Sequence, residues 1–319
     1  MQEARVLFCG LRALGAEICK NVILAGINVT LMDAETVKPE DLGAQFFLRP
    51  EHVGMNRAEA CLPGVQAMNP LASVACHPSD PSAYPDSFFV DFDVIVGTDL
   101  TPAQMRRLDT LARQRGKEGG REGGGFLCAV TFGLHAWAFI DLGESFIGRM
   151  DEAPEGGRTE GKNGEGGGAK PLPPREFTLA YPSLSDALAV PWSALKSRFP
   201  VPRVFVMARL LGLYEERHSG PFPPNATEES VEVFVSESQL AMGANGLEAG
   251  FLSEEELRAL ARQSQSELSP VCAVVGGILG QEILKAISRK GEPALNVFLW
   301  DGATHEGRVI AVPPPKEKE

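Results

Sequence analysis

The 319-residue chain is 44% apolar, enough for a sizeable core, and its 30 basic against 42 acidic residues leave a net charge of −12. That sign opposes a phosphate backbone or an anionic membrane surface, so neither nucleic acid nor membrane is an expected partner. Cys9, Cys19, Cys61, Cys76, Cys128 and Cys272 include no CxxC pair and His52, His77, His135, His218 and His305 are scattered, which argues against a disulfide framework or a metal site.

Residues 5–9 form a short, continuously apolar run, the mark of a strand buried on both faces of a parallel sheet. The nine residues MQEARVLFC lack the apolar core of a secretory signal, and no stretch reads as the about 18 apolar residues of a membrane span. The expected compartment is the cytosol or the nucleus. A helix follows over 13–25, with Leu14, Ile18, Val22 and Ile23 on one stripe and Gly26 as its stop, then a strand over 28–32. Further strands are expected at 73–76, 92–97, 126–130 and 136–141, with a helix over 102–115 between two of them. The alternation predicts an α/β fold with a doubly wound, mostly parallel sheet and helices on both faces.

Residues 117–125 (KEGGREGGG) and about 151–174 are rich in Gly, Glu, Lys and Pro and offer too little apolar area to offset ordering, which predicts mobile loops. Helix-like stretches at 201–216, 229–241 and 253–263 suggest a small inserted subdomain. The last helix is expected over 269–288, with Ser269 as N-cap, Pro270 at the first helical position and Arg289, Lys290 and Gly291 at its end. Its apolar residues cover more than one face and the Gly276-Gly277 pair permits a close backbone approach, so it is expected to be buried. Strands at 296–300 and 308–312 would return the chain to the main sheet.

The first strand-to-helix turn reads Gly10-Leu11-Arg12-Ala13-Leu14-Gly15. In the GxGxxG fingerprint the middle glycine lets a pyrophosphate approach the backbone, and here Arg12 stands in its place, which favours a plain tight turn over a working phosphate cradle. Asp33 ends the second strand where nucleotide-binding α/β proteins hold a ribose hydroxyl, although any polar residue can cap a strand end. Cys272, inside an apolar helix, reads as a small filler, and no catalytic residue is nominated.

Four blocks, 5–33, LGAQFFLRPEHVGMNRAEA at 42–60, Asn69-Pro70 and SPVCAVVGGILGQEILKAI at 269–287, followed by FLWDG at 298–302, resemble in order and spacing the small, non-catalytic subunits of SUMO-activating enzymes, within the ThiF/MoeB-type ubiquitin-activating enzyme family. The resemblance implies a Rossmann-like adenylation half at 1–150, a flexible linker at 151–175, an inserted subdomain at 176–265, and a C-terminal helix and strands at 266–319. It implies a heterodimer in which a larger catalytic subunit holds ATP and magnesium, adenylates SUMO and carries the thioester cysteine, with no cofactor on this chain. It also implies that this sequence starts after a segment of the YDRQIRLWG kind, whose arginine reaches the partner's ATP site. Catalytic members carry an Asn-x-x-Arg-Gln segment where this chain reads Asp41-Leu42-Gly43-Ala44-Gln45, and a lysine where Arg57 stands. Gly10, Gly15, Asp33, Arg57 and Asp99 would then be the remains of an eroded nucleotide site. Two other readings share the fold: a nicotinamide-dependent oxidoreductase, disfavoured by Arg12, and a self-sufficient sulfur-carrier adenylyltransferase, disfavoured by Ala44 and the missing CxxC pairs.

Overall fold

From Val6 to Cys9 the first strand, β1 (Arg5–Cys9), is fully buried, as a strand covered on both faces must be. The computed structural model describes residues 3–118, 124–150, 174–196 and 199–313. In chain order β1 is followed by α1 (Ala13–Leu24), β2 (Asn28–Met32), α2 (Arg57–Met68), β3 (Val74–His77), α3 (Asp86–Phe89), β4 (Val94–Gly97), α4 (Pro102–Glu118), β5 (Gly125–Phe132) and β6 (His135–Asp141). The hairpin β7 (Phe146–Met150) and β8 (Arg175–Leu179) leads to α5 (Leu184–Ala189), α6 (Arg203–His218), α7 (Glu228–Ala244), α8 (Glu254–Gln263), α9 (Ser269–Ser288), β9 (Val297–Asp301) and β10 (Glu306–Ile310).

The main sheet has the order β10-β9-β6-β5-β4-β1-β2-β3. β3, β2, β1, β4 and β5 run parallel, and β6, β9 and β10 continue the sheet antiparallel. Alternate side chains of each central strand serve opposite faces: Val6 and Phe8 join α1, α2 and α9, while Leu7 and Cys9 join the core under α4 to α8. The α/β, mostly parallel reading therefore holds. Chain order runs outward from β1 through β2 and β3 on one side and through β4 and β5 on the other. The β1/β4 boundary is thus the switch point, where the carboxyl ends of strands open a crevice.

Three expectations change in detail. α2 was not anticipated, because Pro63 and Gly64 interrupt its pattern; the helix is held at its start by Asn56, whose side chain accepts the Glu59 N–H at 3.1 Å. The loop expected at 117–125 begins later, since α4 continues to Glu118 and β5 opens at Gly125; residues 119–123 and 151–173, where the rest of both expected loops falls, lie outside the described residues. α9 does not use Ser269 as its cap, for Ser269 is already helical and no side chain caps the start.

α9 is also long and apolar enough to cross a membrane by composition, with a mean hydropathy of 1.5, which corrects the sequence reading that no segment approaches that limit. Its packing explains the composition. Val271, Val275, Leu279 and Ile283 are buried on α1 and the sheet, whereas Val274 on the outer strip is 41% exposed, so the helix is not covered all round. The close approach uses Gly276 and Gly280 rather than Gly277: a Cβ at Gly276 would lie 2.6 Å from Glu17 Cβ, one at Gly280 2.7 Å from Asn21 Cβ, and one at Gly277 would meet nothing within 4 Å. Gly276→Ala is expected to destabilise the protein by ~1–3 kcal/mol through forced separation of the two helices. Gly277→Ala should stabilise it by ~0.5–1 kcal/mol through helix propensity. Urea midpoints of the two variants, shifting in opposite directions, check both.

Candidate functional site

The carboxyl ends of β1, β2 and β4 bring all five residues of the expected site together. Gly10 ends β1 with φ +96°, a conformation that suits only glycine, and a Cβ there would lie 2.7 Å from the Asp99 nitrogen. A Cβ at Gly15 would lie 2.3 Å from the Gly10 carbonyl oxygen, so this glycine serves the fit of α1 against the turn. Thr98 closes the corner by donating its hydroxyl to the Gly10 carbonyl at 3.1 Å.

Asp33, where a ribose would be met, is 5% exposed and fully engaged. Its Oδ2 accepts the Leu11 N–H at 2.9 Å and Nη1 of Arg57 at 2.9 Å, and its Oδ1 accepts the Glu35 N–H at 2.9 Å. Arg57, 3% exposed at the start of α2, also sets Nε 3.5 Å from Oδ2 of Asp41, which a 3-10 turn at Pro39–Gly43 holds in place. Burial alone would make this guanidinium easier to deprotonate, but Asp33, Asp41 and Asp99 outweigh it and keep the charge. Gln45, retained from the catalytic pattern, is equally internal: its amide donates to the Leu11 carbonyl at 3.1 Å and accepts the Phe47 N–H at 2.7 Å. Asp41 was not singled out by sequence reasoning as a partner of Arg57, and only a pairing across sixteen residues, invisible to periodicity, reveals it.

The phosphate position is equally occupied. Glu267, in the α8–α9 loop, places Oε2 3.0 Å from the Ala13 N–H and Oε1 3.2 Å from the Leu14 N–H, at the N-terminus of α1. Arg12 brackets it, with Nε 3.4 Å from the same carboxylate, Nη2 donating to the Gln265 carbonyl at 3.0 Å and Nη1 3.9 Å from Asp99. Asp99 Oδ2 accepts the Arg12 N–H at 3.2 Å. Burial and then the charge of Glu267 push the Asp99 carboxyl up to about 7, against the pull of Arg12. Sequence reasoning missed Glu267, which lies more than 250 residues from the turn it caps. The donors that would hold a nucleotide are therefore spent within the chain, and the residues do not fit an ATP phosphate or ribose as they stand.

Burial disfavours the thiolate form of every cysteine. Five are buried, and burial pushes the Cys61 and Cys272 thiols up to about 12 and raises Cys9, Cys19 and Cys128 as well. Cys76, half-buried, is raised by burial and by Glu59. No cysteine occurs between Cys128 and Cys272, so the segment of α6 to α8 carries none. Among the described residues no group of three His, Cys, Asp or Glu side chains could hold a metal ion.

Comparison with known proteins agrees with this geometry in fold. Proteins named SUMO-activating enzyme subunit 1 from Rattus norvegicus and Homo sapiens are each 32% identical over 326 residues, covering 98% of this chain and 89% and 90% of the relatives. The protein of that name from Danio rerio is 33% identical over 321 residues, covering 97% of this chain and 88% of the relative. The ThiF family model matches residues 1–319, and with an α/β sheet of this order and relatives of this similarity along nearly its whole length, the chain belongs to the ThiF family.

Proposed function

We propose that this chain is the regulatory and structural subunit of a heterodimeric SUMO-activating enzyme, supporting ATP-dependent adenylation and thioester formation of SUMO by a larger catalytic subunit. The observation that carries the reading is that this chain keeps the ThiF fold while its charged groups at this crevice are paired with one another, Arg57 to Asp33 by a hydrogen bond and to Asp41 as an ion pair. Five of the six cysteines are buried, and the half-buried Cys76 is held toward the protonated thiol by burial and by Glu59. In this reading ATP and magnesium sit on the larger subunit and none on this chain. SUMO meets it through the complex, and the complex works in the nucleus and also in the cytoplasm. The exposed outer strip of α9, around Pro270, Ala273 and Val274, offers apolar surface for the larger subunit to cover.

Co-purification with the larger subunit, followed by an assay of ATP-dependent SUMO thioester formation, tests the proposal. The expected result is a stable complex, with a thioester on the larger subunit that forms at least ~10-fold faster than without this chain, a contribution of about 1.4 kcal/mol or more to the transition state. Failure to form the complex would sink the heterodimer. ATP–pyrophosphate exchange by this chain alone would move the assignment to a self-sufficient adenylyltransferase, and tight NAD binding would move it to an oxidoreductase.

A further inference from the structure

The mismatch between the β1–α1 turn and a nucleotide phosphate traces to one carboxylate of the chain. A helix N-terminus at a switch-point crevice presents unpaired N–H groups and a positive dipole end, and in nucleotide-binding α/β folds an external phosphate satisfies them. Here both oxygens of Glu267 meet two successive N–H groups, those of Ala13 and Leu14, while Arg12, in place of a glycine, adds its guanidinium to the same group. We propose that Glu267 is a built-in anion that takes the place of a nucleotide phosphate, latching the α8–α9 loop shut over the β1–α1 turn so that the cradle is filled without any ligand. The inference concerns this chain alone and does not depend on the identity of its partner.

The loop is also fastened along the residues that precede the carboxylate. The Ser266 carbonyl accepts the Gly133 N–H at 2.9 Å at the end of β5, that of Gln265 accepts Arg12, and the Cβ position of Gly133 is closed by the Gln263 side-chain oxygen at 2.5 Å. The turn thus joins α1 to the end of α8, and through it the helical insertion to the sheet. Charge also argues against an added phosphate. Arg12 is one cation between two acids, Asp99 and Glu267, and a phosphate dianion would meet Glu267 at contact distance, where like charges in a partly buried site repel strongly. An anion can enter only if Glu267 leaves.

The test is thermal unfolding of the full chain titrated with inorganic phosphate, against sodium chloride of equal ionic strength. Wild-type protein should show no phosphate-specific shift up to ~10 mM. Glu267→Ala should unfold about 1–3 °C lower, in the range of a lost helix cap, and about 10 mM phosphate should restore about half of that loss or more. Glu267→Gln keeps one acceptor but no charge and should fall between the two; it carries the test if the alanine variant does not fold. Hydrogen exchange gives an independent reading: the Ala13 and Leu14 amides should be protected in wild type, exposed in the variant and protected again by phosphate. Phosphate stabilising wild type as much as Glu267→Ala would overturn the proposal, because the cradle would then be open. A folded variant whose Tm and amide exchange ignore phosphate would overturn it equally, because the carboxylate would then be no stand-in for an anion.

Discussion

Replacing Arg57 with alanine is expected to lower the unfolding free energy by ~3–5 kcal/mol, the range for removing one partner of a buried ion pair. Arg57 is 3% exposed, and the side chains of Asp33 and Asp41 beside it are 4% and 5% exposed, so water cannot replace the guanidinium when it is removed. Two carboxylates would remain in a low-dielectric site, with the Leu11 and Glu35 N–H groups as the donors left to Asp33. Arg57→Lys keeps a charge but reaches both acids poorly from one ammonium, and should lose ~1–2 kcal/mol. The triple change Arg57→Met, Asp33→Asn and Asp41→Asn should recover most of the alanine deficit, because no buried charge is left over and the amide replacing the Asp33 carboxylate still offers an oxygen to the Leu11 N–H. Urea unfolding of the four proteins decides the matter: a loss under ~1 kcal/mol for Arg57→Ala would mean that the cluster is solvated.

The second large effect lies on the opposite face of the sheet. Asp109 in α4 is 1% exposed; its Oδ2 accepts the Leu184 N–H at 2.8 Å, its Oδ1 has no hydrogen-bond partner among the described residues, and the charge of Asp141 of β6 bears on it. Asp141 is held by Arg113 at 2.5 Å and by the Gly143 N–H at 2.7 Å, with Glu144 at 3.5 Å from Arg113 and the buried thiol of Cys128 also facing the pair. Burial and then the charge of Asp141 push the Asp109 carboxyl up to about 8. In the unfolded chain an aspartate ionises near ~3.9. Between those values the native protein holds a proton that the unfolded chain has released. Stability from this site is therefore full below about pH 4, declines as pH rises, and is lost once pH passes about 8.

Asp109→Asn removes the titration while keeping an oxygen for Leu184. The variant should exceed wild type by ~2 kcal/mol or more at about pH 8, by less at about pH 5, and its stability should be flatter across that window. Chemical denaturation at intervals of about one pH unit across it reads the difference. Equal slopes in both proteins would show that Asp109 holds no extra proton in the native state.

The core strands were legible in the sequence because burial on both faces forces continuous apolar runs. Residues 5–9 and 28–32 read as strands for that reason, and β1 and β2 occupy those residues. The helix at 13–25 was legible through its stripe and Gly26, and the terminal helix at 269–288 through its apolar pattern and the basic residues and glycine at its end. α2 was not, since a proline and a glycine inside it mimic a loop, and the β7–β8 hairpin was hidden because its two strands stand on either side of residues 151–173. Gly10, Gly15 and Asp33 were legible from the order of strand, turn, helix and strand, whereas Arg57 and Asp99 were named only through the family resemblance. Local pattern thus determined the class of fold, the place of the crevice and the residue types that line it. What those residues are bonded to was decided only in three dimensions. Asp33 turns inward to Arg57, Arg57 to Asp41, and Glu267 crosses more than 250 residues of sequence to cap α1. The physical reason is that a charge near the interior must find a partner of opposite sign or a set of N–H donors, and folding chooses that partner by proximity in space, which no sequence period encodes.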